Sequence, residues 1–161
     1  MLHDVGMFIG RNGHHKHSYY LIKNAGLLGH SEEELELIAT IARYHRGSEP
    51  KDSHPGYNAL PSVDRKLVTD MAAILRIAEA LDRSHRQVVE MIKVNPSVAP
   101  SNRHVWQDME LELCIRADEN IAPESWAFKE KKGLFEQQFQ TRLTLKVEQT
   151  AAAHLGAKTT I

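Results

Sequence analysis

Apolar residues recur at helical spacing through the first half of the chain and at strand spacing through the second. Tyr19, Leu21, Ile22 and Ala25 mark a short helix that stops in the glycine-containing stretch from Asn24 to Gly29. Ser31 and Glu34 then form a capping-box pattern, with Glu32 and Glu33 adding charge that opposes the helix dipole, so a second helix starts here. Its apolar positions Leu35, Ile38, Ile41 and Ala42 keep a spacing of three and four, and His45, four after Ile41, falls on the same inward face. From Gly47 to Pro61 the chain is rich in glycine, proline, serine and charge, which predicts an exposed loop of the length that tends to cover a site. Ser62 caps the longest helix, whose stripe is Leu67, Met71, Ile74, Leu75, Ala78 and Leu81. At about 100° per residue Asp82 lies within roughly 40° of that stripe's centre, and Glu79 nearer its edge.

Beyond about Gln87 the period changes to two. Val88, Glu90, Ile92 and Val94 alternate, and a turn-rich connection runs from Pro96 to Asn102. Val105, Met109, Leu111, Leu113 and Ile115 share one face of a half-exposed antiparallel strand, with Asp108, Glu110, Glu112, Cys114 and Arg116 on the other. A short amphipathic helix follows, with Pro123 at its start, Trp126 within it and Gly133 near its end. Trp126, Phe135 and Phe139 are expected in the core. Leu143, Leu145 and Val147 alternate as a last strand, and the tail from Gln149 reads as frayed. The fold class is therefore mainly α over 1–87, followed by a small α+β domain over 88–149 and a tail over 150–161.

Composition narrows the classes of function. With 161 residues, 42% apolar and 25% charged, the chain is that of a globular protein of one ordinary domain or two small ones. A net charge of -1 argues against bulk binding of DNA, while leaving room for a local basic patch. Cys114, the one cysteine, fits a reducing, cytoplasmic compartment and has no nearby base to make it a nucleophile. No run approaches the ~20 apolar residues that a membrane span needs.

The candidate chemistry gathers at the start. Four of the ten histidines fall in Leu2-His3-Asp4-Val5-Gly6 and Gly13-His14-His15-Lys16-His17-Ser18. Imidazole and carboxylate together suit zinc, manganese, iron or magnesium. On a helix His14 and His17 share a face and His15 points elsewhere. An inward Asp82 calls for a cation or several donors, since ionised aspartate is seldom buried alone; Arg83, His85, Arg86 or a metal would serve. An inward His45 suits either a site or a core histidine bonded to a carbonyl. Arg43 and Arg46 flank it, and paired arginines suit phosphate oxygens. Lys16, Lys23 and Lys51 would extend such a groove, or else belong to an ordinary solvated surface.

These residues, together with Ile41-Ala42-Arg43-Tyr44-His45-Arg46, the run from Leu75 through Asp82 to His85, and Leu134-Phe135-Glu136-Gln137-Gln138-Phe139, resemble the C-terminal half of the exopolyphosphatase/guanosine pentaphosphate phosphatase family. The resemblance covers nearly all of the chain. It implies an HD-type helical domain followed by the small C-terminal domain, and two actin-like domains ahead of them that carry hydrolysis. The histidine of the helix before His-Asp in the broader HD pattern would also lie ahead of Met1, so the chain is expected to be a fragment without substantial hydrolysis of its own, and its catalytic residues are unassigned.

By the same resemblance His3 and Asp4 match the HD doublet, His14 or His15 together with His45 match the intermediate histidines, and Asp82, with Glu79 as the alternative, matches the closing acid. Any divalent metal (Mg, Mn, Zn or Fe) is then expected to be substoichiometric. Arg43, Arg46 and Lys16 would bind phosphate, the partners being polyphosphate or guanosine pentaphosphate, with a homodimer in the full-length protein. Two other readings stand beside this one: a non-catalytic binding and dimerisation module with relic histidines, and an independent HD-type metal-dependent phosphohydrolase.

Overall fold

The computed structural model describes residues 2–96, 109–117 and 119–148. Val105, the connection beyond Pro96 and the tail from Gln149 lie outside them. The chain is mainly α-helical and is followed by a small α+β part. It divides into two compact units, Met1–Arg76 and Ile77–Ile161, and the division falls inside one long helix.

The first unit opens with a 3₁₀ helix, Leu2–Phe8, followed by α1 (His14–Lys23), α2 (Glu32–Arg43), the short α3 (Pro55–Asn58) and most of α4 (Ser62–Ala80). The predicted capping box is present: the Ser31 hydroxyl accepts from the Glu34 amide at 3.2 Å and the Glu34 carboxylate accepts from the Ser31 amide at 2.8 Å. Helices α1 and α2 pack through Ile22, Ala39 and Ala42, with Tyr19 and Ile38 against them. A second cluster joins Tyr44, Val68 and Ala72 with Leu37, Ile41, Tyr57 and Leu60. The segment expected to be an exposed loop thus contains α3 and is pinned down, since the Tyr57 hydroxyl lies 2.8 Å from the Thr69 hydroxyl and the Tyr44 hydroxyl 2.8 Å from His54 Nδ1.

Helix α4 buries a different face from the one its bulkiest residues suggest. Leu67, Met71 and Ile74 are more than two-fifths exposed, and Ala78 is exposed, whereas Val68, Ala72, Ala73, Arg76, Ile77, Glu79 and Ala80 are buried. Two apolar stripes run along this helix, and the alanine-rich one wins because small side chains let neighbouring backbones approach closely at native packing density. The helix also ends at Ala80, so its phase does not carry on to Asp82. Asp82 sits half-buried in the turn that follows, where its carboxylate accepts from the Gln87 amide at 3.0 Å. Glu79 is the buried acid, paired with Arg83 and Lys131.

The second unit holds a three-stranded sheet in the order β1 (Val89–Pro96), β2 (Met109–Ala117), β3 (Thr141–Glu148). β2 is antiparallel to β1 but parallel to β3. Parallel neighbours need a long crossover, which α5 (Ala122–Phe139) supplies. That helix runs through Gly133 and stops only at Gln140, which adopts a left-handed conformation with φ 50°. The core joins Ile77, Leu81, Leu113, Ile115, Phe128 and Leu143, with Phe135 packed against it. Trp126 is 61% exposed, contrary to its expected place in the core. Cys114 is buried even though it falls on the polar face of the pattern, because β2 is the middle strand. Its thiol donates to Glu112 and accepts from Asn95, and the bond to Glu112 followed by burial raises its pKa.

Candidate metal centre

The site lies wholly in the first unit, where the 3₁₀ helix crosses α1 and the end of α2. Gly6 makes the crossing close: a Cβ there would collide with the His14 carbonyl and the Ser18 amide. Ser18 locks the contact by accepting from the Gly6 amide at 2.9 Å and donating to the His3 carbonyl at 2.6 Å. His3 and Asp4 are thereby held over the first turn of α1. The buried face of α1 is His14, Ser18 and Ile22, a spacing of four that puts His14 directly in line with the anchor.

One carboxylate oxygen and two ring nitrogens converge. Asp4, His14 and His45 present ligand atoms that all lie within 4.8 Å of one another. His14 Nε2 is 3.1 Å from His45 Nε2, and Asp4 Oδ1 is 3.3 Å from the first and 3.5 Å from the second. His3 completes the cluster: its Nε2 lies 3.2 Å from the other oxygen of Asp4, and its ring is 4.8 Å from that of His45.

Backbone carbonyls decide which nitrogens face inward. His45 Nδ1 is 2.6 Å from the Ala42 carbonyl, and since a carbonyl only accepts, the proton is on Nδ1 and the Nε2 lone pair points into the cluster. Burial, only partly offset by that bond, lowers the His45 pKa to about 4, so the ring is neutral near pH 7. His14 Nδ1 lies 3.1 Å from the Arg11 carbonyl, and donation there leaves its Nε2 facing inward as well. In the tautomer that donates to Arg11, the Asp4 carboxylate and the two ring nitrogens face one another as acceptors without a proton between them. Such a set is short of a cation, and a histidine held through its far nitrogen is the usual second shell of a metal ligand. The donor set fits a divalent ion.

Arg76 holds this arrangement from behind. Its guanidinium donates to the Tyr44 carbonyl at 3.1 Å and the Gly47 carbonyl at 3.3 Å, fixing the turn that carries His45 and Arg46. Gly47 makes that turn with φ 70°. Of the basic residues singled out, Arg46 touches the centre itself. Arg46 reaches His14 Nδ1 at 3.3 Å, and Arg43 lies over the rings of Tyr19 and Tyr44 at 5.7 and 5.9 Å. Lys16 is exposed. The His15 and His14 rings meet edge to face, and the buried Nδ1 of His15 has no hydrogen-bond partner among the described residues. Burial, then the charges of Arg46, His14, Lys16 and Arg43, lower its pKa.

Of the residues singled out from the sequence, His3, Asp4, His14 and His45 are brought together, with Arg46 alongside and His15 next to it. Asp82 and Glu79 belong to the second unit, and the contacts described above engage them there. Sequence reasoning overlooked Ser18 and Arg76. Ser18 was detectable from its place four residues after His14, whereas Arg76 lies off the leucine and methionine stripe, on the alanine-rich face of α4.

Comparison with known proteins agrees with the resemblance. Residues 1–149 match the model of Ppx/GppA phosphatase, domain III. A guanosine-5'-triphosphate,3'-diphosphate pyrophosphatase of Pseudoalteromonas translucida is 32% identical over 80 residues, a stretch covering 50% of this chain and 15% of that relative. With 149 of its 161 residues matched, the chain belongs to the Ppx/GppA phosphatase family, of which it represents domain III.

Proposed function

We propose that this chain is an ion- and phosphate-holding part of a phosphatase of its family, with Asp4, His14 and His45 as ligands of one divalent cation and His3 bracing Asp4. Arg46, Arg43, His15 and Lys16 form the margin that takes the phosphate oxygens of polyphosphate or guanosine pentaphosphate. The observation that carries this reading is the convergence of three ligand atoms, two of them on rings whose far nitrogens lie against backbone carbonyls. When bound, a divalent cation supplies charge that neutralises phosphoryl oxygens. The residues of the chain supply the orientation: Ser18 and Gly6 seat Asp4, Arg76 seats His45, and the guanidinium of Arg46 offers paired donors to an anion.

Hydrolysis by the family is assigned to its other domains. The full-length protein is read as a cytoplasmic homodimer, and the near-neutral charge of the chain disfavours DNA as a partner. Three protein ligands are enough for a cation but not for the closed shell of a structural site. Added Zn²⁺ or Mn²⁺ is therefore expected to bind at one per chain, and dialysis against chelator to leave substoichiometric metal.

A metal-free reading has its own support. If Arg46 donates to His14 Nδ1, the ring proton moves to Nε2, where it satisfies Asp4 and His45 without an ion. Titration calorimetry with Zn²⁺ and Mn²⁺ separates the two. Saturable binding abolished in Asp4→Asn and in His45→Gln, with circular dichroism unchanged, supports the ion site. A folded chain that binds neither ion leaves the relic reading standing.

A further inference from the structure

His14 Nδ1 has two neighbours that demand opposite things of it. The Arg11 carbonyl, at 3.1 Å, only accepts, and Arg46 Nη1, at 3.3 Å, only donates. A neutral imidazole carries one N–H, so it can satisfy one of these neighbours at a time. On the other side of the ring Nε2 faces Asp4 Oδ1 at 3.3 Å and His45 Nε2 at 3.1 Å, and the Ala42 carbonyl has already fixed His45 Nε2 as an acceptor.

Two arrangements follow. In the first, Nδ1 accepts from Arg46, Nε2–H donates into the cluster without an ion, and the Arg11 carbonyl goes without this donor. In the second, Nδ1–H donates to Arg11, Nε2 turns its lone pair on the cluster, and Arg46 loses its acceptor. A cation among Asp4, His14 and His45 requires the second arrangement, because a protonated Nε2 cannot be a ligand. The proton lost at Nε2 is matched by one gained at Nδ1, so the ring stays neutral.

We propose that His14 is a tautomeric relay between the cation site and the anion margin: loading of the cation frees the Arg46 guanidinium, which then takes a phosphate-type oxyanion together with its neighbours. This rests on the ion-site reading above. Arg46 suits the role. Among the described residues it makes no ion pair, and the contact with His14 is its one hydrogen bond. His15, next to His14 in the chain, adds a buried Nδ1 that has no hydrogen-bond partner among the described residues. The coupling is reciprocal, so the anion also strengthens retention of the cation. The occupant of the margin is a phosphate-type group, the class of ligand a guanidinium fork recognises.

The test uses the full 161-residue chain with ¹⁵N-labelled histidine, in chelator and then saturated with Zn²⁺. Sulfate serves as the anion probe because it chelates metal weakly. Long-range ¹H–¹⁵N spectra report which His14 nitrogen is protonated. In the metal-free chain Nδ1 is expected unprotonated. In the Zn²⁺-loaded chain, and in metal-free Arg46→Met, it is expected protonated. Sulfate affinity is expected to rise on Zn²⁺ loading by about 5-fold or more, and Arg46→Met to lose most of that rise. A His14 Nδ1 protonated in all states overturns the relay, as does a rise in sulfate affinity that survives Arg46→Met and so reports sulfate bound directly on the metal. Absence of Zn²⁺ binding overturns the ion-site reading, and the relay with it; bound Zn²⁺ without a tautomer change overturns the relay alone.

Discussion

The Ser18 hydroxyl and the missing side chain of Gly6 together seat the candidate ligands His3, Asp4 and His14. Gly6→Ala pushes a methyl into the His14 carbonyl and Ser18 amide, an overpacking defect expected to cost about 2–3 kcal/mol. It is also expected to weaken metal binding, and chemical denaturation beside metal titration measures both effects. His45 gives the site a pH dependence. Burial lowers its pKa from 6.5 to about 4, so the folded state prefers the neutral ring more than the unfolded chain does. The stabilisation is therefore complete above about pH 6.5, is lost progressively as pH falls towards 4, and changes no further below that. A gap of this size is worth on the order of 3 kcal/mol. The Tm of metal-free protein is expected to drop across that window, and to drop less in a folded His45→Gln variant.

Two acids at the end of α4 show what one helix turn decides. Glu79 is buried and holds Arg83 and Lys131, whereas Asp82 is half-buried and accepts one backbone amide. Removing one partner of a buried ion pair costs about 3 kcal/mol, and losing a single hydrogen bond about 1 kcal/mol. Glu79→Ala is therefore expected to lower the Tm more than Asp82→Ala, the reverse of the order that helical phase alone suggests. Equal shifts would mean that the Glu79 pairs contribute no more than the single hydrogen bond of Asp82. At the other end of the scale Ser31→Ala removes the cap of α2, with an expected loss of about 1 kcal/mol in urea denaturation.

For the molecule as a whole, the family match concerns domain III, and the candidate centre lies within the first compact unit. Purified on its own, the chain is expected to release no substantial orthophosphate from long-chain polyphosphate. Processive release that survives repurification, and is lost in Asp4→Asn, would move the reading to an autonomous metal-dependent phosphohydrolase. None of the described helices is long and apolar enough to cross a membrane.

The sequence by itself determined the local structure that depends on neighbours along the chain. The Ser31 capping box, the order of helices before strands, and the inward face of α2 ending in His45 were all legible, because capping and periodicity are written within a few residues. The family, too, was legible in the spacing of its histidine motifs. Tertiary structure decided what depends on a choice between equals. It chose the alanine face of α4 over its leucine and methionine face, since both are apolar and only the partners tell them apart. It set β2 parallel to β3, because the length of α5 and not the strand pattern governs that pairing. It left Trp126 exposed, and it selected His14 over His15 for the centre, because the crossing of Gly6 on Ser18 fixes which side of α1 meets Asp4. The tautomer of His14 turns on two contacts, from residues three and thirty-two positions away, that no linear pattern displays.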